Sequence, residues 1–107
     1  ATIVIDPFHC FRGGGPIKSV GNLPADKIAV SHFNDSPAMP AWNLLTDADR
    51  VMPGDGICDL KLYCQCLRDI GYHRWLSLEL FRTDLYEQNP LDVAKLGLAK
   101  MRAVVEG

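Results

Sequence analysis

Apolar runs and helical stripes alternate along this chain in an order that predicts strand, helix, strand, helix, strand, helix. Ile3-Val4-Ile5 is a short β-branched run, which fits a strand over residues 2–6 buried on both faces, as in parallel sheets. Pro7 has no N–H to give a central strand, so the strand should end at Asp6. Ile17, Val20 and Leu23 follow Pro16 at helical spacing, predicting a short amphipathic helix over 16–23 that Pro24 stops. A second strand is expected over 27–32, with Ile28, Val30 and His32 on one face and Ala29 and Ser31 on the other. Leu60, Tyr63, Leu67 and Ile70 line one face of a helix over 59–70 that Asp59 caps and Gly71 ends. The third strand, 75–80, sets Trp75, Ser77 and Glu79 against Leu76, Leu78 and Leu80. Asn89 and Pro90 open a last helix, 90–105, with a packing stripe of Val93, Gly97, Met101 and Val104. Such alternation implies right-handed crossovers and a parallel sheet, that is, one α/β domain over 1–107.

The connections differ in what they promise. Cys10 to Gly15 reads as a mobile glycine loop without the spacing of a phosphate-binding fingerprint. Phe33-Asn34-Asp35-Ser36-Pro37 turns the chain into a connection running to Gly56, long enough to suggest a functional loop. Its Arg50–Gly56 segment is rich in turn residues and carries one cation, Arg50. The last loop holds Arg82, Asp84 and Tyr86, and His73 sits in a helix-to-strand turn expected at the surface.

Composition narrows the class. With 107 residues, 48% hydrophobic content and a formal net charge of -2, the chain reads as one globular domain. No apolar run approaches the roughly 20 residues that span a bilayer, and no signal peptide is visible. The 11 Lys and Arg are offset by 13 Asp and Glu, so no electrostatic case arises for nucleic acid. Cys10, Cys58, Cys64 and Cys66 contain no C-x-x-C, so free thiols in a reducing compartment, by default the cytoplasm, are expected. The chain opens at Ala1, directly before a strand and without a methionine, as part of a longer polypeptide would.

Asp6, His32 and Glu79 each fall at the carboxyl end of a separate expected strand, the edge where parallel α/β folds bind ligands. Two carboxylates and an imidazole suit a divalent ion such as Mn²⁺, Mg²⁺, Co²⁺ or Zn²⁺, which would polarise a carbonyl or alkoxide. Taken singly, each has a plainer role. Asp6 can form the turn before Pro7, His32 can be a core histidine, and Glu79 can pair with Arg82 or Arg50. Their arrival at equivalent strand ends favours a shared site.

The segments Val4-Ile5-Asp6-Pro7-Phe8-His9, His32-Phe33-Asn34-Asp35 and Ser77-Leu78-Glu79-Leu80-Phe81 resemble the last three β-α units of the xylose isomerase-like TIM-barrel family. Asp49 to Gly56 and Glu79-Leu80-Phe81-Arg82 look most like its inosose isomerase branch. The resemblance implies that this is the C-terminal part of a (β/α)8 barrel. It implies a divalent-metal-dependent isomerase or epimerase acting on a sugar or polyol ketone by proton transfer through an enediolate. Asp6, His32 and Glu79 match three metal ligands, Glu79 also a proton-transferring base, and His9 and Arg50 match contacts to substrate oxygens. The family's fourth ligand belongs to a strand absent from this segment. A barrel runs to about 250 residues, so about three of its eight strands are here, and association with the remaining portion or with copies of itself is expected. A lyase or dehydratase on the same scaffold, and a non-catalytic barrel fragment, are the other readings.

Overall fold

β1 (Ile3–Ile5), β2 (Ile28–Phe33) and β3 (Leu76–Leu78) form a parallel sheet in the order β1-β2-β3. The computed structural model describes residues 2–14, 16–39, 41–80, 85 and 87–107, with Trp42 described in its main chain only. Phe81, Arg82, Asp84 and Tyr86, named above for the last loop and its motif, lie outside the described residues. The alternating order and parallel pairing are those expected. Strands β1 and β3 are shorter than 2–6 and 75–80, so Asp6 and Glu79 each follow a strand end by one residue, while His32 is the next-to-last residue of β2.

Two helices differ from expectation. Residues 7–12 fold as α1 (Pro7–Arg12), with Asp6 as N-cap accepting the His9 N–H and Pro7 in the first turn. Proline needs no N–H there, so the residue that ends β1 also starts a helix. The segment expected as an amphipathic helix over 16–23 is instead a 3-10 turn, Ile17–Asn22, with only Val20 buried. Pro16 and Pro24 bound it closely, and Ser19, Gly21 and Asn22 are weak helix formers, so an α-helix has neither length nor propensity.

α2 (Leu60–Asp69) and α3 (Pro90–Glu106) form as expected. Asp59 accepts the Leu62 N–H at 3.0 Å, Asn89 accepts those of Leu91 and Asp92, and Gly71 supplies the positive φ (77°) that ends α2. α2 lays Leu60, Tyr63 and Leu67 on the sheet, where they meet Ile5, Val20, Ile28 and Phe33 in one core. α3 adds Met101 and Val104 to the margin of that core. Its Gly97 is buried against β3, where a β-carbon would collide with the Leu78 side chain.

The face assignment of β2 needs correcting. Ile3 pairs with Ile28 but Val4 with Val30, so Ala29 is an extra residue, a bulge that shifts the alternation. Ile28 therefore joins Ser31 and Phe33 on the helix-covered side, all three fully buried, instead of sharing a face with Val30 and His32. Nor is β1 buried on both faces. Val4 is 54% exposed, because among the described residues β1 has one strand neighbour and nothing covers its second face. β3 is likewise an edge, flanked by an apolar groove lined by Leu78, Leu80, Leu85, Pro90, Val93 and Ala94.

The centre of the core is pinned by a polar contact. Tyr63 Oη lies 2.5 Å from Ser31 Oγ, and the Ser31 N–H donates to Tyr72 Oη at 2.9 Å, tying β2 to α2 and to the turn after it. Burial holds the Tyr63 phenol well above its ordinary pKa, so it stays neutral and serves purely as a hydrogen-bonding group. Tyr63→Phe should cost about 1 kcal/mol, read as a lower urea midpoint at unchanged m-value; an unchanged midpoint would show that this contact carries no stability.

Candidate functional site

At the carboxyl edge of the sheet, the carboxylate of Asp6 is almost fully buried and surrounded by hydrogen-bond donors. Oδ1 accepts the His9 N–H at 3.2 Å, and Oδ2 accepts Asn34 Nδ2 at 3.1 Å. His32 Nδ1 lies 3.3 Å from the same Oδ2, and Arg50 Nη2 stands at 3.7 Å. The bulge matters to this geometry, because it leaves His32 on the face opposite the core and 30% exposed, beside Asp6. A carboxylate removed from water must be matched by donors or cations, and here it has both.

Arg50 is not a solvated loop cation. It is only 2% exposed, stacked over the Phe8 ring at 4.9 Å. Its Nη2 donates to His9 Nε2 at 2.8 Å, and its Nη1 donates to the Asp47 carbonyl at 3.1 Å and pairs with the Asp47 carboxylate at 3.3 Å. The long connection achieves this without an α-helix. It makes two 3-10 turns, Trp42–Leu44 and Asp47–Asp49, then returns beside the residues that follow β2 through a two-way bridge between Asp35 and Val51. His9, on α1, and Arg50, on the loop, are thereby brought to Asp6 and His32.

Glu79 is half-buried one residue past β3, with its N–H bonded to Phe33 O at 3.3 Å and its carbonyl accepting Asn34 Nδ2 at 3.1 Å. Its main chain is thus linked to Asp6 through one intervening side chain. Of the three expected ligands, Asp6 and His32 are in contact and Glu79 occupies the adjacent strand end. Among the described residues, no three His, Cys, Asp or Glu side chains are gathered closely enough to hold an ion. The donors are the hard carboxylates and imidazole that a divalent cation takes, so their chemistry fits such an ion.

Two residues of the site carry more than sequence reasoning gave them. Asn34, fully buried, accepts the Phe8 N–H at 3.0 Å while donating to Asp6 and to the Glu79 carbonyl. Asp35, also buried, accepts the main-chain N–H groups of Ser36, Gly54, Gly56 and Cys58 at 2.8 to 3.1 Å. Gly56 is required there, since a β-carbon would overlap Asp35 and the Ser36 carbonyl. The signal available was the pair Asn34-Asp35 directly after a strand, which reads as a turn until its burial is known. Trp75 is 80% exposed, Phe8 is core beneath Arg50, and His73 is at the surface.

The family profile described as xylose isomerase-like TIM barrel matches residues 1–104. Inosose isomerase of Bacillus velezensis is 35% identical over 103 residues, covering 96% of this chain and 36% of that protein. Inosose isomerase of Bacillus subtilis is 38% identical over 85 residues, covering 79% of this chain and 30% of that protein. The chain thus spans about a third of the length of these relatives. A 3-dehydroshikimate dehydratase of Pseudomonas putida is 30% identical over 81 residues, covering 74% of this chain and 13% of that protein. Among solved structures, the crystal structure of IolI protein with a bound zinc atom superposes with a TM-score of 0.89 at 32% identity, covering 97% of this chain and 37% of that chain.

Cys58 reports on the Asp35 turn. Burial, and then the neighbouring Asp35 carboxylate, push its thiol up to about 12 from an ordinary 9.0. A group held protonated in this way contributes fully below the unfolded pKa near 9 and loses that contribution as pH rises through 12. Stability should therefore fall across pH 9 to 12, and Cys58→Ala should flatten that decline; equal slopes in the two proteins, measured by denaturation at stepped pH, would count against this placement of the thiol.

Proposed function

The chain belongs to the xylose isomerase-like TIM-barrel family, and from that premise we propose that it is the C-terminal part of a divalent-metal-dependent isomerase or epimerase. Its substrate class is a sugar or polyol ketone of the inosose type. The observation that carries this reading is the meeting of Asp6, His32, His9 and Arg50 at one strand edge, with Asp6 Oδ2 3.3 Å from His32 Nδ1 and Arg50 2.8 Å from His9. Support comes from inosose isomerase relatives and from a similar structure that binds zinc.

Asp6, His32 and Glu79 would hold the metal, with a further ligand from outside this segment. When bound, the ion supplies stabilisation of negative charge developing on a substrate oxygen. The rest is work for side chains. Glu79 takes a proton from the carbon beside the carbonyl, giving an enediolate, and returns it. His9 and Arg50 bind substrate oxygens; Arg50 is held by Phe8 and Asp47, so its charge needs little reorganisation as the enediolate forms. The open edges of β1 and β3 and the apolar groove beside β3 are where the remaining barrel units, or copies of this chain, would pack. Four free thiols suit a reducing, cytoplasmic setting. A lyase or dehydratase acting through the same base is a second reading, favoured by the Pseudomonas putida relative.

Asp6→Ala and Glu79→Ala should each weaken Co²⁺ or Zn²⁺ binding by at least tenfold in calorimetry and abolish proton exchange on inosose. Unchanged metal affinity in both would sink the shared site. Exchange on inosose without isomerised product, together with turnover of a dehydratable hydroxy ketone, would select the lyase. Activity is expected only when the N-terminal barrel portion is present.

A further inference from the structure

Asn34 joins all three strand ends at once, and its bonding fixes which way its amide points. The Phe8 main-chain N–H can only donate and the Glu79 carbonyl can only accept, so Oδ1 faces Phe8 at 3.0 Å and Nδ2 faces Glu79 at 3.1 Å. The second Nδ2 proton goes to Asp6 Oδ2, also at 3.1 Å. Both amide protons and the oxygen are engaged in a fully buried setting. We infer that Asn34 is a positioning residue that sets the separation and orientation of the Asp6 carboxylate and the Glu79 strand end, and thereby the geometry in which the site receives its ion. The part of this that concerns the ion rests on the proposed function; the brace itself does not.

The amide is suited to the task where other residues are not. An aspartate has the same shape but would set a carboxylate against Asp6 and a lone pair against the Glu79 carbonyl, turning two attractions into repulsions. It would still accept the Phe8 N–H. Asn34→Asp therefore removes the bracing half of the residue and keeps its packing and its contact with α1, whereas Asn34→Ala removes everything.

The test uses the protein as its gene encodes it, with Co²⁺ titration, thermal melting and amide hydrogen exchange. In the unsubstituted protein both Asn34 side-chain protons should exchange slowly; fast exchange overturns the brace whatever the metal does. Asn34→Asp should retain protection of the Phe8 amide and a cooperative melt while Co²⁺ affinity falls about 10- to 100-fold. Asn34→Ala should lose both the protection and the affinity. Co²⁺ binding by Asn34→Asp as tight as that of the unsubstituted protein overturns the inference. If the unsubstituted protein binds no Co²⁺ yet keeps slow Asn34 exchange, the metal-dependent function fails and the brace stands.

Discussion

Burying a carboxylate is expensive unless donors are already in place, and two consecutive strand-end requirements of this kind organise the molecule. Asp6 and Asp35 are both almost inaccessible to water. Asp6 is met by a helix N-terminus, an amide and an imidazole, with Arg50 behind them; Asp35 is met by four main-chain N–H groups. Each set of donors comes from a different part of the chain, so satisfying the charge also folds the loops. Asp6 starts α1, and Asp35 closes the loop that returns through Val51, next to Arg50. The local cost of the buried charge is offset by order imposed at a distance.

β2 is the element through which these demands are linked. It pairs with both neighbours, buries Ile28, Ser31 and Phe33 under α2, and turns His32 the other way. Immediately after it come Asn34 and Asp35, one reaching across to the neighbouring strand ends and the other along the loop. Packing and the polar site are therefore divided by side-chain parity within a few residues: one face is buried under α2, the other turns His32 toward Asp6.

Much of this was legible in the residues. Ile3-Val4-Ile5 and the Leu76–Leu80 alternation located the outer strands, and Asp59 with Gly71 bracketed α2, because caps and apolar periods are local properties. The convergence of Asp6 with His32 followed from strand ends sharing one edge. What escaped was set by context. The bulge at Ala29 leaves no mark in composition, the burial of Arg50 depends on Phe8 and Asp47, which no local pattern joins to it, and Asn34 looked like a turn residue because its partners lie 26 to 45 positions away. α1 was visible in Asp6-Pro7 as an N-cap with proline in the first turn, a signal masked by reading Pro7 only as a strand breaker.

The central place of β2 has a kinetic side. Its pairings join Ile3 to Ile28 on one flank and Ser31 to Leu76 on the other, closures that each enclose a whole helical crossover. Contacts of such sequence separation form slowly, since loop entropy is lost before any strand pairing is gained. The site draws on both flanks, so it exists only after both have closed, and an opening fluctuation on either side dismantles it. Its lifetime is that of the less persistent flank, which makes the integrity of this polar cluster a measure of the molecule's weakest cooperative unit and not of its average stability.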